Sequence, residues 1–133
     1  MAGSWEVSQC GSVLVAILHT ELCTIPWAFG LRSLIVPRGK VIGVSGMPFD
    51  MARNTACMAA LDSGADYLFF LDSDVIPPPD AVLRLMSRNV PLISGIYFRR
   101  SPPQGVPVMM KPVGVWLTTY PKNEVIEVDV VGA

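Results

Sequence analysis

The stretch Tyr67-Leu68-Phe69-Phe70-Leu71-Asp72-Ser73-Asp74-Val75 limits the possible folds more than any other part of the chain, because a nonpolar run passes straight into two carboxylates one residue apart. A run without polar alternation, bounded by turn residues, is the signature of a strand covered on both faces, as in the middle of a parallel sheet. The two carboxylates then fall at the carboxyl end of that strand, the edge at which open α/β sheets bind ligands. Asp72 and Asp74 are i and i+2, so extended backbone places them on one face. With a slight turn, one carboxylate meets a metal directly while the other reaches it, or the substrate, through water. Two hard oxygen ligands suit Mg²⁺ or Mn²⁺, which keep several waters and are commonly shared with substrate phosphates. The structural alternative is that Asp-Ser-Asp ends a strand and caps the turn before Pro77-Pro78-Pro79.

The rest of the chain is read around this strand. Val13 to Leu18 is a second buried strand, ending at His19 and Thr20. Thr24 is placed to cap a helix with Pro26 in its first turn; Trp27, Leu31, Leu34 and Ile35 recur at helical spacing until Pro37 and Gly39 stop it. Lys40 to Ser45 reads as a short strand. Gly46 and Pro48 make a turn, and Asp50 caps a helix from Met51 to Ser63 that Gly64 ends. After the triple proline, Pro79 or Asp80 opens a helix with Val82, Leu83, Leu85 and Met86 on its apolar face, and Pro91 to Phe98 reads as a further strand. This alternation predicts an α/β fold with a mostly parallel central sheet. Beyond it the pattern changes: Arg99 to Gly105 is a proline-containing loop, and Val106–Met110, Val113–Thr119 and Glu124–Val131 are strand candidates with no helix between them, hence antiparallel.

Composition narrows the classes of function. The chain has 133 residues, room for one domain, and ten Lys and Arg balance eleven Asp and Glu, so no basic field points to nucleic acid. Hydrophobic residues make up 51% and charged residues 16%, with a mean hydropathy of +0.46, which implies buried parallel sheet or apolar surface covered by a partner. No run reaches the length of a membrane span, and no signal peptide is evident. Cys10, Cys23 and Cys57 are an odd count without paired spacing, which fits reduced thiols in a cytoplasmic protein. The chain ends in strand-like Val128-Asp129-Val130-Val131, so it is expected to stop where a longer protein continues, and to cover its apolar surface as a homodimer.

Met51-Ala52-Arg53-Asn54-Thr55-Ala56, followed by Gly64-Ala65-Asp66 and the Tyr67–Asp74 strand, resembles the nucleotide-sugar-binding part of GT-A fold glycosyltransferases, particularly family 2. The resemblance covers residues 13 to 133, with 13–98 as the nucleotide-sugar-binding portion and 99–133 as the loop and antiparallel portion. It implies a Rossmann-like three-layer sandwich, a nucleotide-diphosphate sugar donor of UDP or GDP type, and an Asp-x-Asp pair that holds Mn²⁺ or Mg²⁺ on the diphosphate. By this resemblance Asp72 and Asp74, with Ser73 between them, take the metal and donor; Arg53 matches a position near base and ribose; and His19 and Thr20 match residues that touch the nucleoside. The acceptor and the catalytic base are not indicated. Glu124, Glu127 and Asp129, the late carboxylates, read as solvent-facing.

Independent chemistry is compatible with these roles. A divalent cation neutralises a diphosphate and improves it as a leaving group. Arg53, in the first turn of its helix as expected above, would meet phosphate or base. Two other readings stay open. The chain is either a working transferase or a non-catalytic nucleotide-sugar-binding module. The strand ending Asp-x-Asp-x-Val also resembles haloacid dehalogenase phosphotransferases, with Asp72 as nucleophile and Ser94 and Lys111 as later motif residues.

Overall fold

A computed structural model describes residues 11–98 and 107–131. The expected lead segment with Cys10, the 99–105 loop and Val106 lie outside the described residues. The protein is mixed α/β and divides into two compact units, residues 1–83 and 84–133.

The first unit is built on three parallel strands, β1 (Val13–Leu18), β2 (Gly39–Val44) and β3 (Tyr67–Asp72), in the order β2-β1-β3. The chain steps from β1 outward to β2 and then returns to the far side of β1, so the direction of winding reverses at β1. All six residues of β1 are buried. This corrects the sequence reading, which put the Tyr67 strand in the middle: β3 pairs only with β1 among the described residues, its Tyr67 is exposed and Leu68 to Phe70 are half-buried. A nonpolar run reports coverage of a strand's two faces and carries no information about which strand lies at its edges.

Register is pinned at the amino ends. Ser12 O accepts from the backbone N–H of both Asp66 (3.1 Å) and Tyr67 (3.0 Å). The Asp66 carboxylate accepts from Ser12 N (2.8 Å) and Ser12 Oγ (3.1 Å). Slippage by one residue would turn every side chain of β3 to the other face. With this register Leu18 lies opposite Asp72, and Ile17 opposite both Gly43 and Leu71.

Helix α1 (Ile25–Ser33) starts as predicted, with Thr24 Oγ1 accepting from Trp27 N at 3.3 Å. It ends at Ser33, two residues before the expected Ile35. Helix α2 (Phe49–Ser63) begins earlier than expected: Pro48 is its N-cap, its carbonyl accepts from Ala52 N, and no side chain caps it. Asp50 therefore lies inside the first turn, where its charge complements the helix's positive end. Gly64 closes α2 at φ 69°, the left-handed region that favours glycine. Ala52, Ala56 and Ala60 recur every four residues on the buried stripe, and these small side chains let α2 lie close on Ala16, Leu18 and Val44, with Ile42, Leu68 and Phe70 around them. Helix α3 (Ala81–Ser87) forms at the predicted place, and the division between the units falls inside it.

Among the described residues of the second unit, regular pairing is confined to β4 (Met109–Met110) and β5 (Val130–Val131), which are antiparallel. The predicted strand Pro91–Phe98 is irregular, with one bridge from Phe98 to Pro107. Pro91 offers no N–H, and a strand needs a neighbour for its remaining groups as well as a hydrophobic pattern. The Val113–Thr119 candidate supplies one bridge, Trp116 to Met110, because the chain turns at Gly114 (φ 91°). Of Glu124–Val131 only the last two residues pair. Among the described residues no helix is long and apolar enough to cross a membrane.

The N–H and hydroxyl of Ser12 hold the Asp66 carboxyl below its ordinary value, with a smaller attraction from Arg38. The folded state thus favours the ionised form. That stabilisation is complete above the ordinary aspartate range, near pH 3.9, and is lost as pH falls through the lowered value. Urea unfolding of wild type and Asp66→Asn should therefore differ near neutrality and converge in acid. A constant difference at every pH would show that the ionised staple contributes nothing.

Candidate functional site

Because the three strands are parallel, their carboxyl ends form one edge, and the reversal of winding at β1 makes the β1/β3 portion of that edge a topological switch point, the usual ligand crevice of open α/β sheets. The ladder continues one step past each strand: His19 N donates to Val44 O and Ser73 N to Leu18 O, both at 3.1 Å. The chain then turns, with Val75 N donating to Asp72 O at 3.2 Å. The same carbonyl accepts the indole Nε1–H of Trp27 at 3.1 Å. Trp27, buried in α1, thus fixes the peptide at the strand end from outside the sheet.

Alternation along β3 sends Asp72 to the same face as Leu68 and Phe70, the face covered by α2. There it meets Arg53, whose Nη2 lies 3.7 Å from Asp72 Oδ1. The Arg53 guanidinium also rests over the Phe70 ring, 5.1 Å from its centre, where a cation is attracted to the negative face of the π system. Since α2 begins at Phe49, Arg53 is in its second turn, correcting the sequence reading. Its own N–H is spent inside the helix, and only the guanidinium is available to a ligand.

Asp72 Oδ1 is inaccessible to solvent and has no hydrogen-bond partner; the Arg53 contact is too long for one. A buried carboxylate oxygen left with Coulombic compensation alone is costly, and such an atom is commonly completed by water or an ion. The donor chemistry fits a hard cation. Among the described residues no three His, Cys, Asp or Glu side chains converge, so a cation there would draw on Asp72, on Asp74 two residues along, and on ligand oxygens and water.

On the opposite face of the sheet edge the sequence-predicted His19, Thr20 and Ser73 come together around a pocket of about 200 Å³ whose apolar wall is Ile17, Trp27 and Leu31. His19 Nδ1 is 2.6 Å from Thr20 O. A carbonyl oxygen only accepts, so Nδ1 carries the proton and Nε2 of the neutral ring is left as an acceptor. That nitrogen lies over Gly43, where a Cβ would stand 2.6 Å from it.

The predicted residues therefore form two groups on either side of β3's end: Arg53 with Asp72, and His19 and Thr20 with Ser73. Asp74 is exposed in the turn. The sequence reading did not single out Trp27, Phe70 or Gly43 as site residues, nor Glu21, an exposed residue in the lining of the same pocket. Trp27 was read as one of the apolar residues at helical spacing, and the available signal for Gly43 was a glycine inside a strand pattern, which marks a close approach. Of the residues in the phosphotransferase reading, Lys111 Nζ donates to Glu127 O at 3.0 Å and Ser94 Oγ to Gly95 O at 2.8 Å. No protein-family model, curated protein or solved structure matches the chain.

Arg53 and Asp72 should show energetic coupling. Their side chains are 38% and 22% exposed, so solvent screening limits the pair to the order of 1 kcal/mol. A double-mutant cycle of Arg53→Ala and Asp72→Asn in urea should return coupling of that size. Strict additivity would show that the guanidinium does not sense the carboxylate.

Proposed function

We propose that the first unit binds a nucleotide-diphosphate sugar through a divalent cation held by Asp72 and Asp74, and that the protein is a metal-dependent glycosyltransferase of GT-A type or the donor-binding portion of one. The observation that carries this reading is the solvent-inaccessible Asp72 Oδ1 without a hydrogen-bond donor, at the carboxyl edge beside the switch point. When bound, Mn²⁺ or Mg²⁺ would supply charge neutralisation to the diphosphate leaving group.

The chain's own residues do the rest. Asp72, with its peptide fixed by the Trp27 indole and Ser73 N–H, presents a carboxylate whose position is set before ligand arrives. Arg53, oriented by Phe70, balances that carboxylate and offers a planar fork to phosphate oxygens. The pocket beside Ser73 receives the nucleoside end. The acceptor and a catalytic base remain unassigned; sugar transfer to an added acceptor would separate a transferase from a binding portion.

Calorimetric titration with UDP and GDP, with and without Mn²⁺, tests the reading. Binding should depend on Mn²⁺ and be lost in Asp72→Ala and in Asp74→Ala, while both variants remain folded. Diphosphate binding that is indifferent to both substitutions would overturn the metal assignment.

A homodimer is proposed alongside it. Phe29, Phe49 and Leu61 stand 65%, 77% and 75% exposed, and apolar surface of this kind favours self-association. Light scattering at micromolar concentration should give a mass above the 14.4 kDa of one chain. A single-chain mass that persists on concentration would exclude the dimer.

A further inference from the structure

We propose that Glu21 selects the base of the bound nucleotide, and that the base is guanine in preference to uracil; this rests on the donor-binding reading above. The pocket at the end of β1 is smaller than the 300–1,000 Å³ that holds a whole drug-sized ligand, at about 200 Å³. It is therefore sized for the base alone. Ser73 belongs to its lining and is joined directly to Asp72, so a base in the pocket leaves the diphosphate near the proposed cation. The walls formed by Ile17, Trp27 and Leu31 supply apolar contact for a flat ring.

The side chains of the lining are biased toward acceptors. In the neutral ring the His19 Nδ1 proton is committed to Thr20 O, and Nε2, which lies over Gly43, is an acceptor. The Thr20 hydroxyl proton is directed to Leu22 O at 3.4 Å. Glu21 is exposed at the pocket and has no hydrogen-bonding or ionic partner among the described residues. An ionised carboxylate is an acceptor with two oxygens and no donor. Apart from the weak thiol of Cys23, the side-chain donor left in the lining is the Ser73 hydroxyl.

A lining rich in acceptors asks for a ligand rich in N–H. Guanine presents N1–H and its exocyclic amine side by side, a pair that spans the two oxygens of one carboxylate and makes a bidentate, charge-assisted contact. Uracil presents one N–H between two carbonyl oxygens. Facing Glu21, uracil would give the carboxylate one hydrogen bond where guanine gives two, and would set its carbonyl oxygens against negative charge.

Calorimetry in saturating Mn²⁺ with GDP, IDP and UDP, on wild type and on Glu21→Ala, tests this directly. IDP keeps N1–H and lacks the amine. Wild type should bind GDP at least tenfold more tightly than UDP, with IDP between them. Glu21→Ala should weaken GDP and leave UDP as it was or tighter, so that the two affinities converge. Two outcomes would overturn the proposal while the donor site stands: UDP binding as tightly as GDP, or an undiminished GDP preference in Glu21→Ala. Absence of Mn²⁺-dependent binding for all three nucleotides would overturn the donor site itself and this inference with it.

Discussion

The dependence of the first unit on β1 is a matter of hydrogen-bond accounting. Six consecutive buried residues leave their backbone groups without water, and a buried peptide group without a partner costs about as much as a lost hydrogen bond. The N–H and C=O groups of β1 are met by β2 on one side and β3 on the other. Neither flanking strand can be displaced without exposing unpaired groups in the interior. The site inherits this rigidity, because Ser73 N and His19 N extend the same ladders beyond the strand ends.

At that edge, packing and electrostatics are joined through α2. The alanine stripe brings the helix close to the sheet, and the close approach sets Arg53 over Phe70 and toward Asp72. A larger residue at Ala56 would lift the helix and lengthen an ion pair that already stands at 3.7 Å. The apolar contacts on one side of α2 and the charge balance on its neighbouring side are thus a single geometric requirement. They also leave Asp72 Oδ1 without a hydrogen bond, the state on which the functional proposal depends.

Much of the first unit was legible in the sequence because local chemistry specifies it. Thr24, Pro26 and Gly64 mark helix ends by mechanisms confined to a few residues, and the apolar run at Val13 reports burial directly, whereas the run at Tyr67 is half-buried along most of its length. Strand order was not legible, since coverage of two faces does not reveal lateral neighbours, and β1 took the central place expected for β3. The second unit fared worst. Pro91–Phe98 and Val113–Thr119 have β-forming composition, but pairing depends on partners distant in the chain, and only single bridges form there. For the candidate site, Asp72 was read from the Asp-x-Asp pattern at a strand end and Arg53 from the resemblance, whereas Trp27 and Gly43 act through a backbone contact and an absent Cβ, neither of which leaves a motif.

The bond from the Trp27 indole to the carbonyl of Asp72 separates two kinds of information at one residue. The shape of the strand end is carried by the peptide group, which every amino acid possesses, while the affinity for charge is carried by the side chain alone. A lineage of such chains could exchange the carboxylate at position 72 for another group and keep the turn, the ladder and the pocket wall intact. The scaffold is in this sense indifferent to the chemistry it holds, which leaves room for new specificities to arise at that position without first dismantling the fold.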